Sequence, residues 1–190
     1  MIVYLISIFL MVSPLGAQYP RIGRCPEVKG VPNFKPEQFT GPWHVISHNK
    51  NELYEAGHKC SRWNYEKDGN DIGKLNFNAL LANSGAKVSW EGKATPIGNA
   101  RSPNFDIVFP RPSLGTTTNF TILSTDYDNF AVQWACQNFG NVSLQYVWIL
   151  ARKPLPDRLF ENPAQRFLDR FVHIPKSEIV QVDQQECPKQ

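Results

Sequence analysis

Apolar and polar residues alternate through most of this chain, with a period of two. Cys60 to Lys67 sets Trp63 and Tyr65 against Arg62, Asn64 and Glu66. Phe105 to Phe109 sets Phe105, Ile107 and Phe109 against Asp106 and Val108. Six further segments, Trp43 to Asn49, Lys74 to Leu81, Lys87 to Thr95, Thr117 to Thr125, Phe130 to Cys136 and Ser143 to Ala151, complete eight predicted strands. Turn chemistry at Asp68-Gly69-Asn70 and Asn83-Ser84-Gly85 separates neighbours. Short connections predict that consecutive strands pair antiparallel.

Three stretches break the alternation. Ile2 to Val12 is almost wholly apolar and ends in Ser13-Pro14-Leu15-Gly16-Ala17, the pattern of a secretory signal peptide cleaved after Ala17. The run is shorter than the roughly 20 residues a spanning helix needs. Residues 18–190 then form a single domain. Gln18 to Thr40, rich in Pro and Gly, reads as a connector that wraps the outside and plugs one end with Phe34 and Phe39. After Arg152, Asn162-Pro163 caps a helix carrying Phe167, Leu168, Phe171 and Val172 at helical spacing, and Glu178 to Val182 is a last short strand. The fold class predicted is all-β, an eight-stranded antiparallel up-and-down barrel with one C-terminal α-helix packed outside. Closure removes exposed edges and leaves room for one small ligand. Strand count alone also allows a two-sheet sandwich.

Composition narrows the function classes. The chain has 190 residues, 42% hydrophobic and 19% charged, enough for a sizeable core. Its net charge is +3, with Lys and Arg scattered, so the basic stripe that nucleic acid requires is missing. Cys25, Cys60, Cys136 and Cys187 are widely spread, without the close pairs of a zinc site. Two disulfides follow in an oxidising compartment, with three pairings open. Asn119-Phe120-Thr121 and Asn141-Val142-Ser143 are glycosylation acceptors if exposed. No Ser-His-Asp, paired-carboxylate or metal-ligand constellation is recognisable, so neither an enzyme nor a metal site is expected. His44 and His48 would lie about 13 Å apart along a strand, too far to share a metal.

Several motifs then stand in a recognisable order. These are Gly41-Pro42-Trp43, Glu91-Gly92-Lys93-Ala94-Thr95-Pro96, Thr125-Asp126-Tyr127, Trp148-Ile149-Leu150-Ala151-Arg152 and Cys187-Pro188. With them the chain, from Cys25 to its end, resembles the lipocalin family and, within it, the apolipoprotein D and insect bilin-binding group. The resemblance implies the pairing Cys25–Cys136 and Cys60–Cys187, which leaves no free thiol for a cysteine nucleophile or for covalent pigment capture. It implies that Gly41, Trp43, Thr125, Asp126, Tyr127 and Arg152 build the barrel floor, with Arg152 over the Trp43 ring.

It also implies a secreted, extracellular carrier whose ligand enters at the open end. Tyr65, Phe120 and Trp148 match ligand-contacting aromatics of the group, and Trp63 and Trp90 are further candidates. Parity along the last barrel strand adds Tyr146. On the seventh strand, Phe130, Val132 and Trp134 alternate with Ala131, Gln133 and Ala135, and Trp134 joins the expected ligand set. If Phe120 faces inward, Asn119 faces outward. The ligand implied is a lipid, sterol or fatty acid, or a non-covalent biliverdin- or carotenoid-type pigment. A secreted protein- or membrane-interaction module, using loop Pro110 to Thr116 and no bound small molecule, is the reading from another class.

Overall fold

The structure is a computed structural model and describes residues 19–50, 57–69, 71–99, 101–109, 118–155, 166–167 and 174–188. In chain order the elements are β1 (Tyr19–Ile22), α1 (Pro36–Phe39), β2 (Gly41–Asn49), β3 (His58–Asp68), β4 (Asp71–Leu81), β5 (Lys87–Pro96), β6 (Asn104–Val108), β7 (Thr118–Thr125), β8 (Phe130–Phe139), β9 (Val142–Ala151) and β10 (Ile179–Gln181). The predicted signal segment lies outside the described residues. So does most of the predicted C-terminal helix, of which Arg166 and Phe167 are described and helical.

Each strand from β2 to β9 pairs antiparallel with the next, and β9 returns to pair with β2. The eight-stranded barrel is therefore closed, and the sandwich alternative is excluded. Hairpin chemistry supports the meander. Phe139 pairs with Val142, and only Gly140 and Asn141 lie between them. Gly140 takes φ +59°, which a two-residue hairpin needs and which glycine adopts without strain. Two short strands were not both foreseen. β10, read from the sequence, joins the free edge of β2, whereas β1 adds to β9 with Tyr19 opposite Gln145, inside a stretch read as connector.

Alternation sorts the apolar residues into two clusters. Trp63, Tyr65, Phe77, Phe105, Ile107, Phe120, Trp148 and Leu150 belong to the cluster inside the barrel, with Phe34, Phe39 and Trp43 closing its floor. Leu123, Val132, Trp134, Val147 and Ile149 take the opposite parity and form an outer cluster under Ile174 and Phe167. The segment after the last barrel strand thus packs on the outside wall. Sulfur–sulfur bonds tie Cys25 to Cys136 and Cys60 to Cys187, anchoring both ends of the chain to that wall.

Candidate functional site

The closed end is held by main-chain hydrogen bonds that converge on one cation. Arg152 lies over the Trp43 ring, its guanidinium carbon 3.8 Å from the ring centroid. Its Nε donates to Tyr127 O at 3.0 Å, and its terminal nitrogens donate to Pro42 O at 3.0 Å and Gln38 O at 2.8 Å. The planar fork reaches three separate chain segments at once, which a lysine could not do. Trp43 Nε1 donates to Phe39 O at 2.8 Å. Gly41 takes φ +93°, and a side-chain carbon there would meet the Arg152 guanidinium at 3.4 Å.

The Thr125-Asp126-Tyr127 turn is knotted in the same way. Thr125 Oγ1 donates to Phe130 O and accepts from the Tyr127 amide. Asp126 accepts from the amides of Asn129 and Phe130 and from the Asn129 side chain. Partial burial pushes the Asp126 carboxyl up, but these donors together hold it below its ordinary value. All six floor residues therefore have structural partners, and the polar groups of this end face the backbone rather than the barrel interior.

Above the floor the interior is aromatic. Tyr65 meets Phe39 edge-on at 4.9 Å, Trp63 packs on Phe77 at 4.7 Å, and Phe120 packs on Trp148 at 5.1 Å. Tyr146 stacks on Trp148 at 6.1 Å. Trp90 is half-buried, stacks on Phe77 at 4.7 Å and touches the His58 ring at 5.8 Å. The structure thus brings Tyr65, Trp63, Phe120, Trp148, Tyr146 and Trp90 to one interior surface. Asn119 is exposed on the other face of β7, and Asn141 is exposed in the β8–β9 turn.

Trp134 is the exception. It lies outside the barrel, in the cluster with Val132 and Val147, and donates to Gln145 Oε1 at 3.3 Å. Ala131, Gln133 and Ala135 hold the interior positions of β8. The sequence contained the signal: Cys136 must face outward to reach the wrapping segment at Cys25, and Trp134 shares its parity. The size of the indole is no guide to its face.

Two interior polar residues escaped the sequence reading. Gln133 is fully buried beside Trp148, its register partner, and its Oε1 accepts from the Tyr65 hydroxyl. His48 pairs with Trp148 from the other side. Simple alternation from Trp43 and Val45 would turn His48 outward. A bulge between Val45 and Ser47 shifts the parity and turns it in. His44, opposite Arg62 and Ala151, stays on the outer face, so the two histidines lie on opposite faces of the wall.

His48 Nδ1 lies 2.8 Å from Asn49 O, and a carbonyl only accepts, so Nδ1 carries a hydrogen. Burial lowers the His48 pKa, the Asn49 hydrogen bond partly restores it, and His58 lowers it further. Burial lowers His44 as well. A group whose folded pKa lies below its unfolded value takes its proton more readily when unfolded, so stability falls as pH drops through about 6.5. The urea midpoint should therefore decline between pH 7 and pH 5, and His48→Gln should flatten part of that decline. An unchanged slope in the variant would place the effect elsewhere.

A family model described as "Lipocalin / cytosolic fatty-acid binding protein family" matches residues 40–186. The chain belongs to this family. Among characterised lipocalin relatives, the bilin-binding protein of Pieris brassicae is 27% identical over 154 residues, covering 78% of this chain and 77% of the relative. Apolipoprotein D of Rattus norvegicus is 28% identical over 169 residues, covering 88% and 86%. The barrel also superposes on insecticyanin of Manduca sexta with a TM-score of 0.76 at 22% identity, covering 88% of this chain and 89% of that one. Apocrustacyanin C1 gives 0.72 at 20%, covering 90% and 94%. At such identities the solved structures speak for the lipocalin fold alone.

Proposed function

We propose that this lipocalin is a secreted carrier that encloses one small hydrophobic molecule inside its barrel. The observation that carries the reading is the interior surface of Trp63, Phe120, Trp148, Tyr146 and Tyr65, drawn from three different strands. Removing apolar ligand surface from water supplies affinity at about 25 cal/mol per Å², and a few polar groups orient what enters. Relatives named for bilin binding and for apolipoprotein D keep both ligand types in view: a lipid, sterol or fatty acid, and a non-covalent biliverdin- or carotenoid-type pigment.

Family membership favours binding over catalysis, and among the described residues no group of metal-ligating side chains is assembled. The two disulfides and the apolar leader support an extracellular location, where Asn119 and Asn141 would carry glycan. Loop 110–116, the candidate surface for a protein- or membrane-binding role, falls outside the described residues.

Extraction of protein secreted by its own source, followed by mass and absorption spectra, tests the proposal. One apolar compound per chain is expected. A blue, green or orange preparation would select the pigment. Fully loaded secretion conditions that yield no extractable compound would favour the interaction module instead.

A further inference from the structure

The aromatic interior contains two buried hydrogen-bond donors that the protein does not use. Trp148 is 1% exposed and Gln133 is 0% exposed, yet neither Trp148 Nε1 nor Gln133 Nε2 has a partner. They occupy register-paired positions on β9 and β8, so both side chains leave the wall at one height and on one face. Leaving a buried donor unsatisfied costs roughly 1–3 kcal/mol, and an apolar barrel offers little else to meet it.

The orientation of the Gln133 amide is fixed by chemistry rather than chance. Tyr65 reaches up from its contact with Phe39 at the floor and donates its hydroxyl hydrogen to Gln133 Oε1. That contact commits the carbonyl side of the amide to the protein and leaves the NH2 group without a partner. An indole nitrogen only donates. Whatever satisfies both groups must therefore accept, and one sp2 oxygen with two lone pairs can do so.

The charge of that oxygen is constrained as well. No Lys or Arg is found among the buried residues described, and burial holds the neighbouring His48 toward its neutral form. Desolvating a carboxylate beside two neutral donors costs far more than desolvating a ketone or an ester.

We infer that Trp148 and Gln133 form a donor subsite for a neutral carbonyl oxygen, so that the preferred ligand is an apolar molecule bearing a ketone, ester or amide carbonyl. The inference rests on the carrier reading and sharpens it. Tyr65 acts here as a positioning residue, holding the amide of Gln133 with its donors exposed to the ligand.

Three probes of matched chain length test the subsite on the delipidated, disulfide-bonded protein: tridecane, 2-tridecanone and tridecanoate at pH 8. Affinities are read from quenching of tryptophan emission. The ketone should bind at least tenfold more tightly than the carboxylate. The ratio of ketone to alkane affinity should fall about tenfold in Gln133→Leu and again in Trp148→Phe, as expected for loss of a hydrogen bond worth about 1.4 kcal/mol. Alkane affinity itself should hold or rise, which shows that each variant still folds around a ligand. Tyr65→Phe should reduce the same ratio by a smaller factor, because it frees Gln133 to turn.

A ratio unmoved by both Gln133→Leu and Trp148→Phe would overturn the subsite while leaving the carrier intact, with water alone capping the donors. Tighter binding of tridecanoate would overturn the neutral-carbonyl class. Binding of none of the three would count against the carrier itself, and the subsite would fall with it.

Discussion

Trp43→Ala is expected to lower the free energy of unfolding by about 4 kcal/mol, the middle of the range for truncating a fully buried aromatic. Trp43 is 0% exposed and stacks on Phe39 at 5.0 Å, so the loss leaves a cavity between the plug and the barrel. It also leaves Phe39 O without its indole donor and removes the ring beneath Arg152. Burial accounts for most of this cost, because a cation–π contact at a half-exposed guanidinium is worth about 1 kcal/mol. Arg152→Lys should accordingly cost less, about 2 kcal/mol. It keeps the charge but cannot serve Tyr127, Pro42 and Gln38 together. Urea denaturation of the two single variants and the double variant measures the coupling. Additive losses would show that the stacked pair acts as two independent groups.

The second large effect concerns Cys60. The replacement of both Cys60 and Cys187 by serine should cost 3–5 kcal/mol, typical for a native disulfide closing a long loop. The bond spans 127 residues and ties the end of the chain to β3. Cys60 also holds φ +57°, a left-handed conformation unfavourable for a residue with a β-carbon. It sits within the irregularity between Lys59 and Arg62 that resets the register of β3 on β4. Its amide donates to Asp183 O at 2.8 Å, so the backbone stays constrained even without sulfur. The pair Cys60→Gly with Cys187→Ser should therefore be about 1 kcal/mol more stable than the double serine variant, because glycine adopts this φ freely. If the serine pair proves the more stable, the backbone at residue 60 relaxes once the bond is gone.

These two sites show which features a single sequence reveals. Trp43, Arg152 and the Thr125-Asp126-Tyr127 turn were legible because their motifs stand in the order that the family resemblance implies for the barrel floor. The eight barrel strands were legible because period-two patterning and turn residues agree along nearly the whole wall. Trp148 and Tyr146 could be turned inward by parity from Arg152 on the last barrel strand, whereas Tyr65 and Phe120 were legible only through the resemblance to the family. Parity failed where a second constraint had to be weighed against it. Trp134 looks like a cavity residue by type, but the outward Cys136 two positions on fixes it outside. His48 required a bulge at Ile46, which no local residue type announces, since Val45, Ile46 and Ser47 all suit a regular strand. Gln133 was missed because it shares its parity with Ala131 and Ala135, opposite the Trp134 face that was expected to line the cavity. Its role emerges only when Tyr65 and Trp148 arrive from other strands. The short strand β1 was hidden for a similar reason: Pro20 lies within it and Gly23 follows it, and only the edge of β9 creates the pairing.

The division of the tryptophans between the two faces makes the central claim directly measurable. The chain has five: Trp43 in the floor, Trp63 and Trp148 in the interior, Trp90 half-buried against Phe77, and Trp134 outside. Each indole gives its own nitrogen–proton resonance. Titration of the delipidated protein with the neutral apolar probe N-phenyl-1-naphthylamine, followed in nitrogen–proton correlation spectra, should move the Trp63 and Trp148 signals and saturate at one equivalent. The Trp134 signal should stay in place. A Trp134 shift without movement at Trp63 and Trp148, or no saturable shift at all, would contradict a ligand enclosed in the barrel.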